Sequence, residues 1–196
     1  MMRCLAAIAT LCTLAALAVG CASPPSRFYT LSGTVTPAAT SSNLSVAVGP
    51  VSIPAEVDRP EIVVSTGPNQ VQLDEFNRWA SPLENSIARV VAENLVAMLG
   101  TPRVTLFPQT SGADADYRVA IEVQSFRSAP GEAAVLDAVW TVRRAKDGRT
   151  ETRRTKVREA VQEDGYDALA AAHSRALARL SRDIADAVRA LDRSRQ

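Results

Sequence analysis

The sequence predicts an α+β fold in which a mixed, largely antiparallel sheet is covered by two amphipathic helices. Apolar residues alternate with polar ones over strand-length segments through much of the chain. Three such segments follow one another near the C-terminal end with turn residues between them, which predicts a three-strand meander. Two longer segments carry apolar residues at helical spacing, and one face of the sheet supplies the apolar partner that each of them needs.

The first twenty residues are predicted to be an export signal. Arg3 is the only charged residue before Cys21, and residues 5–19 are an apolar run rich in Ala and Leu. A positive start, an apolar run of this length and small residues at its end are typical of a cleaved signal, and the run is short for a spanning helix. Val19-Gly20-Cys21 resembles a bacterial lipobox, although Ala18 stands where Leu is usual. We expect lipidation of Cys21, with a plain cleaved signal or a core thiol as alternatives.

Cysteine usage favours lipidation. Cys4 and Cys12 lie within the signal, so the mature chain has one cysteine, at its first position. Acylation removes a thiol that would be a liability in an oxidising compartment, and one thiol builds neither an internal disulfide nor a thiolate metal site. Two or more acyl chains would anchor the domain durably. Ala22 replaces the Asp that commonly retains lipoproteins in the inner membrane, which favours the periplasmic face of the outer membrane.

Length and charge set further bounds. The expected organisation is a signal peptide at 1–20, a lipidated tether with a short strand and a flexible loop at 21–43, and a single α+β domain at 44–196. The chain has 22 basic and 21 acidic residues, and removal of Arg3 with the signal leaves 21 of each. A mature chain of zero formal charge has no overall field that favours nucleic acid.

The first half of the mature chain is predicted to consist of short strands joined by turns. Gly49-Pro50 interrupts the alternation of the second strand, which predicts a bend or bulge there, and Gly67-Pro68-Asn69 predicts a hairpin. In order, the expected elements are a strand at 27–31, a flexible loop at 34–43, a strand at 44–53, a turn or single helical turn at 54–60, and hairpin strands at 61–66 and 70–73.

A helix is predicted to begin at Pro82. Ser81-Pro82-Leu83-Glu84 has the pattern of a capping box, with Ser81 as N-cap, Pro82 as first helical residue and Glu84 reaching back. Gly100 and Pro102 end the helix, and a short strand is expected at 104–107. The apolar stripe of this helix contains Leu83, Ile87, Val90, Val91, Leu95, Met98 and Leu99.

The C-terminal part is predicted to be the meander followed by a second helix. The strands are expected at about 117–124, 135–142 and 150–161, with Pro130-Gly131 and Asp147-Gly148 in the turns. The helix is expected over about 166–191. Its apolar stripe contains Leu169, Leu177, Leu180, Ile184, Val188 and Leu191.

His173, the only histidine, lies in the middle of that stripe. It is either a catalytic base or a partly buried helix residue near the sheet, and the second reading is favoured because a base needs a nucleophile and a cleft. The chain contains no G-x-S-x-G, H-E-x-x-H, G-x-G-x-x-G or Walker A pattern. We therefore expect no enzymatic activity, no metal and no cofactor.

Basic residues concentrate between 143 and 158. This segment is either a basic hairpin that contacts lipid headgroups or an acidic partner, or a solvated face partly paired with Asp147, Glu151 and Glu159 that also protects a sheet edge. Trp79 is either an exposed interface anchor or a staple of its loop onto the helix start. Trp140 is in phase with the apolar side of its strand and is expected in the core.

Several segments occur in an order that resembles a known family. The lipobox is followed by FYTL at 28–31, VGPVSIP at 48–54, DRPEIVV at 58–64, RWASPL at 78–83 and LDAVW at 136–140, and then by the terminal helix from Tyr166. This succession, over essentially the whole mature chain, is similar to the ABC-type transport auxiliary lipoproteins, the PqiC family. None of these segments is chemically specific alone.

The resemblance implies an outer-membrane lipoprotein of an intermembrane transport system for phospholipid or another hydrophobic cargo. Its implied partners are an MCE-domain tunnel protein anchored in the inner membrane or a Mla-like ABC transporter, and it would form a ring-shaped homo-oligomer. The family has no catalytic residues to carry over. The alternatives are a structural lipoprotein that aids outer-membrane or lipopolysaccharide assembly, and a periplasmic hydrolase that uses His173. Candidate interface residues are Asp58, Arg59, Pro60, Trp79, Arg153, Arg154, Lys156 and Arg158.

Overall fold

The computed structural model describes residues 24–39, 41–108 and 114–193 and confirms the α+β class. These residues form one mixed eight-stranded sheet and two helices. The strands are β1 (Arg27–Tyr29), β2 (Val46–Ser52), β3 (Glu61–Gly67), β4 (Gln70–Trp79), β5 (Val104–Leu106), β6 (Tyr117–Ala129), β7 (Ala133–Arg144) and β8 (Thr150–Ala160). The helices are α1 (Leu83–Leu99) and α2 (Tyr166–Arg193).

β6 pairs with other strands along both of its edges. One edge is antiparallel to β7, which pairs in turn with β8, and this is the predicted meander. The other edge is parallel to β2 between Tyr117 and Glu122 and parallel to β3 at Ser128. β5 extends the sheet beyond β2, and β4 followed by β1 extends it beyond β3. β1, β5 and β8 are thus the outer strands of the described sheet.

The bend predicted at Gly49-Pro50 is a bulge in β2. Val48 pairs with Val119 and Val51 with Ile121, so β2 has one extra residue between these two pairs. Gly49 has a φ of 123°, and a Cβ added to it would lie 3.1 Å from the Cβ of Phe107. Glycine is required here by both backbone conformation and space.

The predicted hairpin forms, but β4 continues to Trp79, well past the expected end at Leu73. The Asp74 carboxylate accepts hydrogen bonds from the backbone N–H of Phe76 at 3.1 Å and of Asn77 at 2.9 Å. The register with β3 shifts at the same place. This side-chain-supported bulge breaks the alternation that would have revealed the rest of the strand.

The capping box predicted for α1 does not form. The helix begins at Leu83, and Pro82 occupies the N-cap with φ −48° and ψ 130°, without a side-chain hydrogen bond at the cap. Because Pro82 has an extended ψ, the chain turns into the helix one residue later than predicted and Ser81 lies outside it. The predicted end is confirmed: Gly100 is left-handed, with φ 64°, and its N–H bonds to Val96 O at 3.1 Å.

Both helices cover the same face of the sheet. α1 packs on β2 and β5, α2 packs on β6, β7 and β8, and the helices contact each other. Between them, Asn94 Nδ2 donates to Ser181 Oγ at 3.2 Å. The predicted apolar stripes are buried, and Trp140 lies in the core as expected.

A chain of hydrogen bonds links two strands to α2. The Trp140 indole Nε1 donates to Thr155 Oγ1 at 2.9 Å, and the same hydroxyl donates to Asp183 Oδ2 at 2.6 Å. Thr155 is buried on β8. One hydroxyl therefore satisfies the indole N–H and ties the outer strand β8 to the helix layer.

His173 belongs to a buried aromatic cluster. It is fully buried, its ring stacks on Phe126 with centroids 3.9 Å apart, and Trp79 lies edge-on to it with centroids 6.1 Å apart. Its Nε2 lies 2.8 Å from Ser128 Oγ, and burial lowers its pKa from 6.5 to about 3. His173 is thus a neutral core residue, more deeply buried than the sequence indicates.

Replacing Thr155 with Val should lower the free energy of unfolding by about 1–3 kcal/mol, because it leaves the buried Trp140 N–H without an acceptor at nearly unchanged shape. Urea denaturation measures this difference. Thr152→Val is the matched control, since Thr152 lies on the same strand and its hydroxyl meets Thr141 Oγ1 at an exposed site. We expect the control to change stability by less than about 0.5 kcal/mol. Equal losses in the two variants would contradict the role given to Thr155.

The burial of His173 predicts a pH dependence of stability. The unfolded chain takes up a proton as the pH falls below 6.5, whereas the folded chain does so only near its pKa of about 3. This contribution to stability is present above pH 6.5 and is lost as the pH falls towards 3, by at most about 1.4 kcal/mol per pH unit. His173→Gln removes it, so the stability difference between wild type and variant should shrink from pH 7 to pH 5 in urea denaturation. Parallel profiles would contradict this assignment.

Candidate functional site

The expected lipidation site, Cys21, lies outside the described residues. The described chain leads from residue 24 into β1, where Tyr29 O accepts a hydrogen bond from Ala80 N at 2.9 Å and the Tyr29 hydroxyl donates to Asn77 Oδ1 at 2.8 Å. The Tyr29 ring also lies 5.7 Å from the ring of Tyr166 in α2. β1 is therefore tied to both layers of the domain, and an anchor at Cys21 would act on this edge of the sheet.

Asp58, Arg59 and Pro60 form an exposed turn between β2 and β3. Arg59 N donates to Val57 O at 2.9 Å, and Pro60 O accepts from Trp79 N at 2.7 Å. The buried Val57 side chain adds a packing contact beneath the turn. These contacts hold the turn beside the end of β4, so the exposed side chains of Asp58 and Arg59 have a defined place on the surface.

Trp79 is 6% exposed, so the interpretation of its side chain as an exposed anchor does not hold. Its indole packs edge-on against Phe126 with centroids 6.1 Å apart, in the same cluster as His173. β4 leads directly into the loop before α1, and the inward-facing indole fixes that junction to the core. Of the predicted interface residues near this end of the sheet, the turn residues are on the surface and Trp79 is not.

The basic residues of β8 divide between the two faces of the sheet. Arg153 is the register partner of Trp140, which faces the helices. Strand alternation places Arg154, Lys156 and Arg158 on the opposite face, where they are exposed. We call this opposite face, which neither described helix covers, the outer face of the sheet.

Ion pairs neutralise part of this basic segment. Arg154 forms a bidentate ion pair with Asp137, in which Nε donates to Oδ1 and Nη2 to Oδ2, each at 2.7 Å. These hydrogen bonds lower the pKa of Asp137. Arg158 lies 3.6 Å from Glu132 in an exposed pair of small energetic value. The segment is therefore partly paired, as the structural alternative expects.

Two of the acidic partners predicted for the segment behave differently. Glu151 pairs with Arg153 on β8 itself. Glu159 instead lies 3.5 Å from Arg175 of α2 and so joins the strand to the helix layer. Sequence proximity alone could not distinguish these outcomes, because the Glu159 partner comes from a different element.

The two groups of candidate residues do not form one site. The Asp58–Pro60 turn lies at the β3 and β4 end of the sheet, whereas β8 is the outer strand on the other side of β6 and β7. Strands are spaced by about 4.8 Å, so the path from β4 through β3, β6 and β7 to β8 spans about 19 Å. A partner that contacts both groups must therefore reach across four strand spacings.

The outer face also carries exposed apolar residues outside the predicted interface. Phe28, Val71, Leu73 and Phe76 are 63%, 55%, 42% and 36% exposed. All four belong to β1 or β4. The alternation of Val71 and Leu73 with Gln70 and Gln72 was visible in the sequence, but it does not tell which face of the sheet is covered.

A cleft of about 1120 Å³ beside the start of β6 is lined by charged residues of both signs. Arg144 donates to both carboxylate oxygens of Asp147, at 3.0 and 2.5 Å, and lowers its pKa to about 2. Burial, together with Asp192, raises the pKa of Tyr117, whose hydroxyl donates to Asp192 Oδ1 at 3.2 Å. Asp147 is thus a weak base and Tyr117 a weak acid, and neither is tuned for proton transfer near neutral pH.

Within the described ranges, no group of three or more His, Cys, Asp or Glu residues is placed to hold a metal ion. Among the helices of those same ranges, none is long and apolar enough to span a membrane.

Two solved structures have the same fold. The crystal structure of an uncharacterized protein has a TM-score of 0.69 and 23% sequence identity, covering 84% of this chain and 99% of that chain. The crystal structure of a Xanthomonas campestris protein of the DUF330 family has a TM-score of 0.65 and 22% identity, covering 81% of this chain and 92% of that chain. At these identities the likeness concerns the fold alone. A comparison with curated proteins gave no match.

A family model described as "ABC-type transport auxiliary lipoprotein component" matches residues 29–185. The match begins at the last residue of β1 and ends within α2, so it includes α1 and every strand from β2 to β8. The DUF330 protein with the same fold represents the same family. The chain therefore belongs to the ABC-type transport auxiliary lipoproteins, the PqiC family that its sequence resembles.

Proposed function

We propose that this protein is a non-enzymatic outer-membrane lipoprotein subunit of an intermembrane phospholipid transport system. It docks a periplasmic MCE-domain tunnel protein, or a Mla-like ABC transporter, at the outer membrane and thereby supports membrane integrity. Family membership supports the transport role and the lipoprotein class. The predicted cleavage before Cys21 and the residue Ala22 support attachment to the periplasmic face of the outer membrane.

The observation that carries the docking role is the arrangement of the two layers. α1 and α2 lie on one face of the sheet, so the described domain leaves the other face open. The turn containing Asp58 and Arg59 and the cations Arg154, Lys156 and Arg158 are exposed, in two separate places. A domain with two separated polar surfaces is suited to bridging partners, because each surface can contact a different neighbour.

The placement of His173 argues against the hydrolase alternative. Its ring is fully buried between Phe126 and Trp79, and its partner Ser128 is 2% exposed. A substrate has no access to Nε2 or to the Ser128 hydroxyl without unfolding this part of the core. With a pKa of about 3, the imidazole is also a poor base near neutral pH.

The open sheet is compatible with the ring-shaped homo-oligomer that the family resemblance implies. In a heterologous contact, one surface of a subunit meets a different surface of the next subunit. Such contacts close into a ring when the rotation between neighbouring subunits is a whole-number fraction of 360°. The β4 end and the β8 edge of the described sheet are two such different surfaces. Light scattering of the acylated protein in mild detergent would measure the number of subunits.

Affinity purification of the acylated full chain from membranes tests the docking role. We expect recovery of an MCE-domain protein together with inner-membrane transporter components. Arg59→Glu reverses an exposed cation at the turn, and we expect it to reduce recovery of that protein about 10-fold, equivalent to about 1.4 kcal/mol. Lys156→Glu reverses an exposed cation on β8 and measures whether this second surface contributes. Quantitative mass spectrometry of the eluate measures the recovery.

Arg182→Glu is the matched control, since Arg182 is an exposed cation on α2 and its reversal changes the net charge equally. It should leave recovery unchanged. Absence of any MCE-domain or Mla-like transport protein from the wild-type eluate, with the oligomer intact, would contradict the proposed function. Equal loss in all three variants would indicate a nonspecific charge effect and would contradict docking at the turn or at β8.

A further inference from the structure

Most of the large exposed apolar side chains in the described ranges lie on two adjacent strands. Phe28 of β1 and Val71, Leu73 and Phe76 of β4 are exposed by between 36% and 63%. Isolated exposed apolar residues are ordinary on protein surfaces, but a contiguous group marks a contact surface. β1 pairs with β4 at residues 77–79, so Phe28 lies beside the end of β4 that contains Phe76, and Leu73 and Val71 continue the row along β4.

Register places Val71 and Leu73 on the outer face of the sheet. Val71 is the partner of Ser65, and Arg127 Nε lies 3.5 Å from Ser65 Oγ. Arg127 precedes Ser128, whose hydroxyl faces His173 and the helices, so Arg127 and its contact Ser65 point the other way. Val71, and Leu73 two residues further along β4, therefore face away from α1 and α2.

Phe28 and Phe76 lie on the same face. Phe28 is the register partner of Arg78, and its neighbour Tyr29 faces inward to Tyr166. Asn77 meets the hydroxyl of the inward-facing Tyr29, and the adjacent Phe76, within the bulge at Asp74, is 36% exposed. The aromatic and aliphatic side chains of β1 and β4 thus share one surface with the ion pair of Arg78 and Glu61.

Cations border this apolar group. Arg127 and Arg158 line a groove of about 240 Å³ on the outer face, together with Ser65 and Val135. Arg127, Val135 and Arg158 are register partners across β6, β7 and β8, so the groove runs from β3, the neighbour of β4, to the basic strand. Glu132, the partner of Arg158, also lines it. We call Phe28, Val71, Leu73, Phe76, Arg127 and Arg158 the apolar–basic face.

The predicted anchor brings this face to a lipid surface. Cys21 lies six residues before Arg27, the first residue of β1. Six residues span at most about 22 Å, so an acyl-anchored Cys21 keeps β1 close to the headgroups whatever path these residues take. A soluble partner or a second copy would have to compete with a membrane that is present at this edge in every molecule.

We infer that the apolar–basic face rests on the membrane interface and fixes the orientation of the domain on the bilayer. Phe28, Val71, Leu73 and Phe76 enter the boundary between headgroups and acyl chains, where aromatic and aliphatic residues are stabilised. Arg127 and Arg158 then meet the lipid phosphates, which attract basic residues at a bilayer surface. This inference rests on the lipid attachment contained in the proposed function, but not on the MCE partner.

Site-specific labelling of the acylated full chain tests the inference. The mature chain has no cysteine besides the acylated Cys21, so a single introduced cysteine accepts an environment-sensitive fluorophore selectively. The test positions are Val71→Cys and Leu73→Cys. Two control positions have matched exposure. Phe107→Cys, in the connection between β5 and β6, is 51% exposed against 55% for Val71, and Val96→Cys, on α1, is 39% exposed against 42% for Leu73. The protein is reconstituted into phosphatidylethanolamine–phosphatidylglycerol vesicles whose acyl chains carry bromine.

We expect a blue-shifted emission and quenching by the brominated chains at positions 71 and 73, and neither effect at 107 and 96. The effect should persist when the vesicles hold one protein molecule on average. Equal quenching at test and control positions would overturn the inference. A blue shift at positions 71 and 73 that disappears at low surface density would also overturn it, because a second copy of the protein would then cover these residues. Mass spectrometry of the N-terminal peptide reports acylation separately. Missing acylation would therefore count against the proposed attachment, while a negative label result on acylated protein counts against the membrane face.

Discussion

The pairing of β6 along both of its edges is the constraint on which the rest of the structure depends. β7, β2 and β3 all take their register from this strand, so its alternation decides which of their residues face the helices. Tyr117, Val119, Ile121 and Val123 face inward and are buried. A slip by one residue would place Arg118 and Glu122 beneath α1 and α2 and expose the core. The alternation of β6 thus determines both which face of the sheet the helices cover and which face stays open.

The covered face of the sheet holds the contacts that stabilise the fold, and the open face holds the residues that are free to contact other molecules. On the covered face, polar side chains such as Thr155 and His173 satisfy buried partners and fix the helices to the strands. On the open face, exposed apolar and basic residues lie beside each other without a described element above them. The proposed anchor at Cys21 precedes β1 in sequence, and β1 pairs with β4, so the proposed attachment lies at the edge of the sheet that carries the exposed apolar residues. In this proposal, β1 and β4 therefore determine both where the domain is attached to the membrane and how it is oriented there.

Local patterns predicted much of the fold. The sequence predicted three features that depend on residues close together in the chain: the bulge at Gly49-Pro50, the end of α1 at Gly100 and the meander. Two of the features that were missed depend on residues far apart in sequence. β6 has an extra residue between Val123 and Ser125, which reverses its alternation and turns Phe126 inward to build the cluster around His173. Likewise, the single parallel pair between Val64 and Ser128 joins the hairpin to the meander, and no local pattern reveals it.

Site-specific photo-crosslinking in intact envelopes tests the central claim, that this lipoprotein docks a transport protein through its exposed turn, most directly. A photoreactive residue in place of Arg59 samples the contacts of the turn beside β4, and one in place of Arg182 samples the solvent side of α2. The account predicts that position 59 yields an adduct containing an MCE-domain or Mla-like transport protein and that position 182 does not. Adducts with the transport protein only from position 182, or from neither position in cells that make the acylated chain, would contradict it.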